Sequence, residues 1–274
     1  MKPRTLIPSV ILTTLASTAL DARAQYTAYD LGPGYAWGIN SAGTVVGVSS
    51  STGHAFSYSG GVMTDHGTLG GTSSFAYGIN DAGIIVGSSD LSGDSYQHAF
   101  SYSGGHMTGL GTLGGSASSA QGINRAGTIA GWSYPASGAA YRAFSYSGGY
   151  MTDLGTLGGT QSSTYGINDA GTLVGWSWTS GNSAQHAFSY SGGAMTDLGT
   201  LGGGNSTALG INGVGTIIGW SYTAGGSTAR LQLQRRGRGR PRHPRRHTEP
   251  GQRHQRCRYD CGAELDHWRS GPCL

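Results

Sequence analysis

Three histidines, His54, His98 and His186, recur at one position of a repeated motif, each directly before Ala-Phe. Imidazoles gathered at such a position would suit a divalent metal such as zinc. The remaining copy of the motif carries Arg142 there, and a permanently charged guanidinium repels a cation. The position therefore reads as a strand-end residue with an apolar body and a polar tip, and no metal site is assigned. Asp65, Asp153 and Asp197 share a second position, occupied by Gly109 in the other copy. Acid–base catalysis needs two carboxyl groups in different environments, whereas repeat-equivalent carboxylates sit in similar ones. Off the pattern stand Asp90, Asp94, His66 and His106. An enzyme would have to be built from these, and neither a catalytic nor a cofactor-binding residue is assigned. The Asn-Asp-Ala-Gly run at 80–83 lacks the acidic series and terminal Glu of a calcium loop, and reads as a turn.

Aromatic residues offer a different chemistry. Trp132, Trp176, Trp178 and Trp220, with Tyr134 and Tyr222, follow an apolar segment in successive repeats and run into a stretch of changing sequence. Those directly after the glycine (Trp132, Trp176, Trp220) are expected to pack between repeats. Tyr134, Trp178 and Tyr222 lie further into the variable stretch and are the candidates for stacking on a glycan or a protein partner. Tyr134 and Trp178 are expected to be the more exposed, on loops.

The elements that must carry these residues follow from the period. AFSYSGG begins at Ala55, Ala99, Ala143 and Ala187, each 44 residues after the last, and a fixed period of this length marks a repeat architecture. Phe56 and Tyr58 share a strand face, as do the pairs that begin with Phe100, Phe144 and Phe188. The Gly-Gly that follows, then Met-Thr, reads as a hairpin. A second hairpin turns at Asn40, Asn80, Asn124, Asn168 and Asn212, and each returning strand ends its apolar pair with Gly47, Gly87, Gly131, Gly175 or Gly219. Consecutive apolar residues such as Ile85-Val86 predict a strand covered on both faces, with the glycine letting neighbouring sheets approach. The fold class is thus all-β: four-stranded antiparallel blades in series, β-propeller-like and not necessarily complete. The alternative is a β-solenoid, whose coils have no use for two tight hairpins per period. Tyr26 to Gly32 resembles the last strand of a repeat, so the N-terminus is able to complete a final blade.

HAFSYSGG, MTDLGTLGG and GINDAG together resemble the HAF-repeat family of extracellular, exported bacterial repeat proteins, over about Tyr26 to Tyr222. The resemblance implies export and a repeat fold and carries no catalytic residue with it. Arg142 in place of the motif histidine, and the loss of the motifs after Ala229, depart from the family pattern.

Residues 1–24 read as a secretory signal peptide: Lys2 and Arg4, an apolar Leu6 to Leu20, and a small-x-small cleavage site ending at Ala24. The apolar stretch is shorter than the roughly 20 residues a spanning helix needs, and no later stretch is apolar enough, so no membrane span is expected in the mature chain. The expected address is secreted, extracellular or periplasmic. The function this supports is a non-enzymatic extracellular or cell-surface binding or scaffold module, with an unidentified glycan or protein partner and no specific nucleic acid. The alternative is a secreted glycan-active enzyme on a propeller scaffold.

Charge divides the chain. Residues 25–230 carry three arginines against eight aspartates, and residues 231–274 eleven arginines against four acids, with all three cysteines. A basic arm ordinarily suggests nucleic acid. Here the repeat pattern vanishes where the next Ala-Phe is due, and a shifted reading frame accounts for that. Codons exist for Ala229 to Gly237 that, read one nucleotide later, spell His-Ala-Phe-Ser-Tyr-Ser-Gly-Gly. Codons for Arg253 to Gly262 likewise spell Gly-Ile-Asn-Asp-Ala-Gly-Thr-Ile-Val-Gly, restoring the turn motif at residue 254, 44 beyond Gly210. The Arg-rich segment is then expected to be disordered and to leave the fifth repeat without its third strand. The gene's nucleotide sequence tests this: the frame one nucleotide later should encode both motifs, and a frame lacking them would refute the shift.

Overall fold

The computed structural model describes residues 30–234. The signal segment with Ala24, and the Arg-rich tail from residue 235, lie outside the described residues.

The chain is all-β, and each repeat is one antiparallel meander. The first sheet runs β1 (Gly34–Ile39), β2 (Val45–Ser49), β3 (Ala55–Ser59) and β4 (Val62–Asp65). The second is β5 (Gly70–Ile79), β6 (Ile85–Leu91), β7 (Gln97–Ser103) and β8 (His106–Gly111). The third is β9 (Gly114–Ile123), β10 (Ile129–Pro135), β11 (Arg142–Ser147) and β12 (Tyr150–Asp153). The fourth is β13 (Gly158–Ile167), β14 (Leu173–Thr179), β15 (Gln185–Ser191) and β16 (Ala194–Asp197). The fifth has three strands, β17 (Gly202–Ile211), β18 (Ile217–Thr223) and β19 (Thr228–Leu233).

Both predicted hairpins form. Gly60 and Gly61 both take positive φ, 57° and 84°, the requirement of a tight turn whose twist matches the strands. At the other turn the Asn80 carboxamide oxygen accepts the Ile84 amide at 3.0 Å while Gly83 sits at φ 78°.

Consecutive sheets pack face to face. Val46 and Ala55 of the first meet Ala76, Ile85 and Phe100 of the second. The same joint recurs with Val86, Ala99, Ala120, Ile129 and Phe144, and again with Ala130, Ala143, Leu173 and Phe188. Phe100, Phe144 and Phe188 have no exposed surface. Among the described residues, packing of this extent joins only sheets that follow one another in sequence.

The glycine after each apolar pair has a different role from the one expected. A Cβ on Gly87 would stand 1.8 Å from the Phe75 carbonyl oxygen, and one on Gly175 1.9 Å from that of Ser163. The crowding lies within a sheet, at the bulge between Ala76 and Gly78 or between Thr164 and Gly166. Neighbouring sheets come closest at the glycine before Ile-Asn instead, where a Cβ on Gly166 would lie 3.2 Å from the Gly210 Cα.

The third strand of the fifth sheet corrects a second expectation. The chain stays in the sheet through Leu233, with Gly219 opposite Leu231 as Gly175 is opposite Phe188, and Ile217 opposite Leu233 as Leu173 is opposite Tyr190. Leu231 is buried against Ala208 and Ile217. Two leucines at alternate positions are enough for a strand here, because the fold needs an apolar residue on the inner face and a free backbone, and Arg230 and Gln232 point outward, exposed.

Polar side chains bind the sheets in series. Asn40 Nδ2 donates to the Asn80 carbonyl at 3.2 Å, Asn80 to Asn124 at 3.1 Å, Asn124 to Asn168 at 3.2 Å and Asn168 to Asn212 at 3.1 Å. Buried serines form a second series: Ser118 Oγ accepts the Ala99 amide of the preceding sheet at 2.8 Å and donates to the Gly111 carbonyl. Ser74, Ser162 and Ser206 do the same. Asn124→Ala leaves the half-buried Thr128 amide without its acceptor and takes one of two donors from the Asn168 carbonyl, which keeps the Gly171 amide, and this should cost roughly 2 kcal/mol. Asn212 is exposed and, among the described residues, holds only the Thr216 amide, so Asn212→Ala should cost about 1 kcal/mol. Urea denaturation of the two variants measures the difference; equal losses would mean that the series carries no load.

Candidate functional site

The repeated histidines pair within their own sheets. His54 Nδ1 lies 3.0 Å from both carboxylate oxygens of Asp65, and His186 Nδ1 lies 2.8 Å from Asp197. Arg142 takes the same partner position, 3.5 Å from Asp153. Where the aspartate is Gly109, His98 has lost that partner, and burial pushes its imidazole down in pKa against the opposing hydrogen bond to the Ser116 backbone. The position thus takes a side chain that can donate to an aspartate on the neighbouring strand, which both histidine and arginine can do. Burial raises the Asp65 carboxyl, but the Gly67 amide and the His54 side chain outweigh it and hold the group below its ordinary value. These pairs are solvent-exposed, and each is worth at most about 1 kcal/mol. Among the described residues no three His, Cys, Asp or Glu side chains group as metal ligands would.

Of the off-pattern residues, Asp90 and Asp94 share one surface depression, and His66 and His106 lie elsewhere. Asp94 stands at φ 53° and accepts the Thr72 amide at 2.7 Å. Two repeats on, Asn182 at φ 54° accepts the Thr160 amide at 2.9 Å. An amide serves as well as a carboxylate, so the contact is a clasp from the variable loop to the first strand. Asp90 lies near Asp94 on a shallow depression with Phe75, Tyr96 and Gln97. His106 is exposed at the start of β8. His66 fills the slot that Leu110, Leu154 and Leu198 occupy in later repeats. Its ring packs 4.0 Å from that of Tyr102, and both ring nitrogens are buried without a hydrogen bond. Burial depresses its pKa, against the attraction of Asp65.

The aromatics do come together. Tyr134 meets Tyr141 edge-on at 5.7 Å and Trp132 at 6.1 Å, and Tyr141 meets Trp176 of the next repeat at 6.1 Å. Trp176 donates its indole N–H to the Tyr165 hydroxyl at 3.2 Å, and Trp178 donates to Gln161 Oε1 at 3.3 Å. Tyr222 packs on Trp220 at 5.5 Å. Tyr134 and Trp178 are half-buried residues of β10 and β14, which corrects their expected place on loops. The strands extend through them because the serine between each pair is buried and accepts a backbone amide, Leu113 to Ser133 and Leu157 to Ser177, both at 2.8 Å.

Sequence reasoning missed Tyr141, half-buried beside the motif position of Arg142, and its hydroxyl is raised in pKa by burial and by the neighbouring Tyr165 and Tyr134. It also missed a second aromatic group on the first strands. Trp37 lies 5.1 Å from Tyr77 and 6.4 Å from Phe75, and stacks on Tyr35 at 6.0 Å. The signal for this group was present: Trp37, Tyr77 and Tyr165 all stand directly before Gly-Ile-Asn. No family model and no curated protein matches the chain.

His66→Leu tests the core reading. A buried imidazole with a depressed pKa binds fewer protons folded than unfolded, so stability is full above the unfolded pKa and falls as pH drops through it toward the folded value. The variant should gain on the order of 1 kcal/mol near neutrality by restoring apolar packing and should lose part of the acid sensitivity between pH 7 and 5. Chemical denaturation at several pH values measures both; an unchanged pH profile would exclude this role for His66.

Proposed function

We propose that this chain is an exported, non-enzymatic protein of the HAF-repeat kind, its sheets arranged as propeller blades, that binds a glycan outside the cell. The observation that supports this most is the aromatic run through Trp132, Tyr134, Tyr141 and Trp176, which crosses from one repeat to the next. Apolar ring faces with polar tips suit sugars, which present C–H faces to the rings and hydroxyls to the tips. Trp132, Tyr134 and Tyr141 are half-buried and Trp176 is buried beneath them, which holds the rings in place before a ligand arrives and reduces the ordering cost of binding. Arrangement across repeats also favours a polymer, since one strand of sugar can span several equivalent contacts.

The alternative, a glycan-active enzyme, would depend on Asp90 and Asp94; the structural contact of Asp94, which Asn182 makes equally well two repeats on, supports the binding reading. A glycan array with the purified chain is the test. Binding should appear and fall about tenfold in Tyr134→Ala or Trp178→Ala, in keeping with the loss of one stacking contact. Turnover of a polysaccharide abolished by Asp90→Asn would establish the enzyme instead.

A further inference from the structure

The fifth sheet lacks a fourth strand among the described residues, and a cavity of about 470 Å³ opens beside it. Leu198, Ile211, Ile217 and Leu233 are among its walls. The equivalent walls of the preceding joint are Leu154, Ile167, Leu173 and Tyr190, and there Met195 of the fourth strand packs among them. Met151 does so one joint earlier, against Leu110, Ile123, Ile129 and Tyr146. The cavity is therefore the methionine slot of the fifth repeat. The chain's own continuation does not suit it. Met195 lies five residues after Tyr190, and five residues after Leu233 comes Arg238, within a run of Arg, Gly, Pro and His.

The complementary part stands at the other end of the chain. Asp30, Leu31 and Gly32 form the turn that closes every complete fourth strand ending in Asp-x-Gly. The Gly32 amide donates to Asp30 Oδ1 at 2.9 Å, as Gly67 does to Asp65 at 2.7 Å, Gly155 to Asp153 at 2.8 Å and Gly199 to Asp197 at 2.7 Å. The residues before it, Thr27-Ala28-Tyr29, align with Ala194-Met195-Thr196. In each internal repeat this strand belongs to the sheet preceding the one it leads into, and no sheet of the described chain precedes the first.

The two outer faces match as well. Ile218 is 56 % exposed, whereas Val46, Val86, Ala130 and Val174 at its position are wholly covered by the next sheet. Ile39 is 67 % exposed and Ala36 is exposed, whereas Ala76, Ala120 and Ala208 at the latter's position are wholly covered by the preceding sheet. Asn212 Nδ2, the last donor of the asparagine series, has no partner among the described residues, and the Asn40 carbonyl at the first turn is the acceptor of the same kind.

We propose that a second copy of this chain docks head to tail on the fifth sheet. Its residues 27–30 add to the edge of β19 as the fourth strand, and its first sheet covers Ile218. Arg230 takes the place that the wholly covered Ala55, Ala99, Ala143 and Ala187 hold at the internal joints, so its side chain has to turn out of the new joint. Pairing as in β15 and β16, where Phe188 faces Asp197 and Tyr190 faces Met195, sets Asp30 opposite Leu231. It sets Ala28 opposite Leu233, a methyl where internal joints have methionine, so this joint is weaker than an internal one and forms in proportion to concentration. A joint that uses different surfaces on its two sides propagates or ends according to whether its rotation closes. The inference does not rest on the glycan reading.

Sedimentation of the purified full-length chain tests it. Mass should rise with concentration. Ile39→Lys, which blocks the head, and Ile218→Lys, which blocks the tail, should each stay monomeric with an unchanged circular dichroism spectrum. Mixed, they should form a dimer of one copy of each and nothing larger, because one good head and one good tail remain. A peptide of residues 25–32 should return the parent chain to monomer. A parent chain monomeric at every concentration, a lysine variant that assembles like the parent, or a mixture that stays monomeric would each overturn the proposal.

Discussion

Everything in this fold depends on one carboxamide used twice. The asparagine of each Gly-Ile-Asn turn accepts an amide four residues on, closing its own hairpin, and donates to the carbonyl of the next asparagine 40 or 44 residues away. Local and long-range order are therefore set by the same side chain. Each such carbonyl also accepts the glycine amide three residues on in its own turn, so the bond between sheets is a second donor to it and contributes about 1 kcal/mol. Aspartate could close the turn but has no proton to donate onward, and serine is too short to do both.

The sheets can be tied this closely because little side chain stands between them. The glycine of each Gly-Ile-Asn lets first strands approach, and the glycine of the second strand makes room for a carbonyl at the bulge. Alanines and serines fill much of what remains, and Ser74, Ser118, Ser162 and Ser206 each meet both a donor and an acceptor. Such joints tolerate little change. Variation collects where the chain leaves them: in the loop before each His-Ala-Phe, at the exposed pair of the motif histidine or Arg142 with aspartate, and at the single leucine slot that has become His66. At the loop and at the exposed pair, water or a long side chain can supply what the substitution removes; His66 is buried with both ring nitrogens unpaired.

The joint also explains how a strand of foreign sequence is accepted at the end of the array. The third strand of a repeat is asked for two apolar residues at alternate positions and for backbone groups to pair. Leu231 and Leu233 meet that demand without resembling the motif phenylalanine and tyrosine. The residues after them keep neither the apolar alternation nor the Gly-Gly turn.

Much of the fold was legible from the chain alone. The period, both hairpins, the strand order and the burial of Phe100, Phe144 and Phe188 follow from alternation and from glycines at turns, which are local demands of backbone geometry. The candidate aromatics were legible as residue types at repeated positions, but their setting was not. Tyr134 and Trp178 turned out to be strand residues because a buried serine between the aromatics holds the backbone in the sheet. Tyr141 joined them because the next repeat brings Trp176 to it. The onward bonds of Asn40, Asn80, Asn124 and Asn168 and the aspartate partners of His54 and His186 were also beyond the sequence, as was the strand that crowds the second-strand glycine. These are contacts between residues 11 to 44 apart in the chain. They exist only once the sheets have packed, and packing decides which of several equally spaced neighbours a side chain meets.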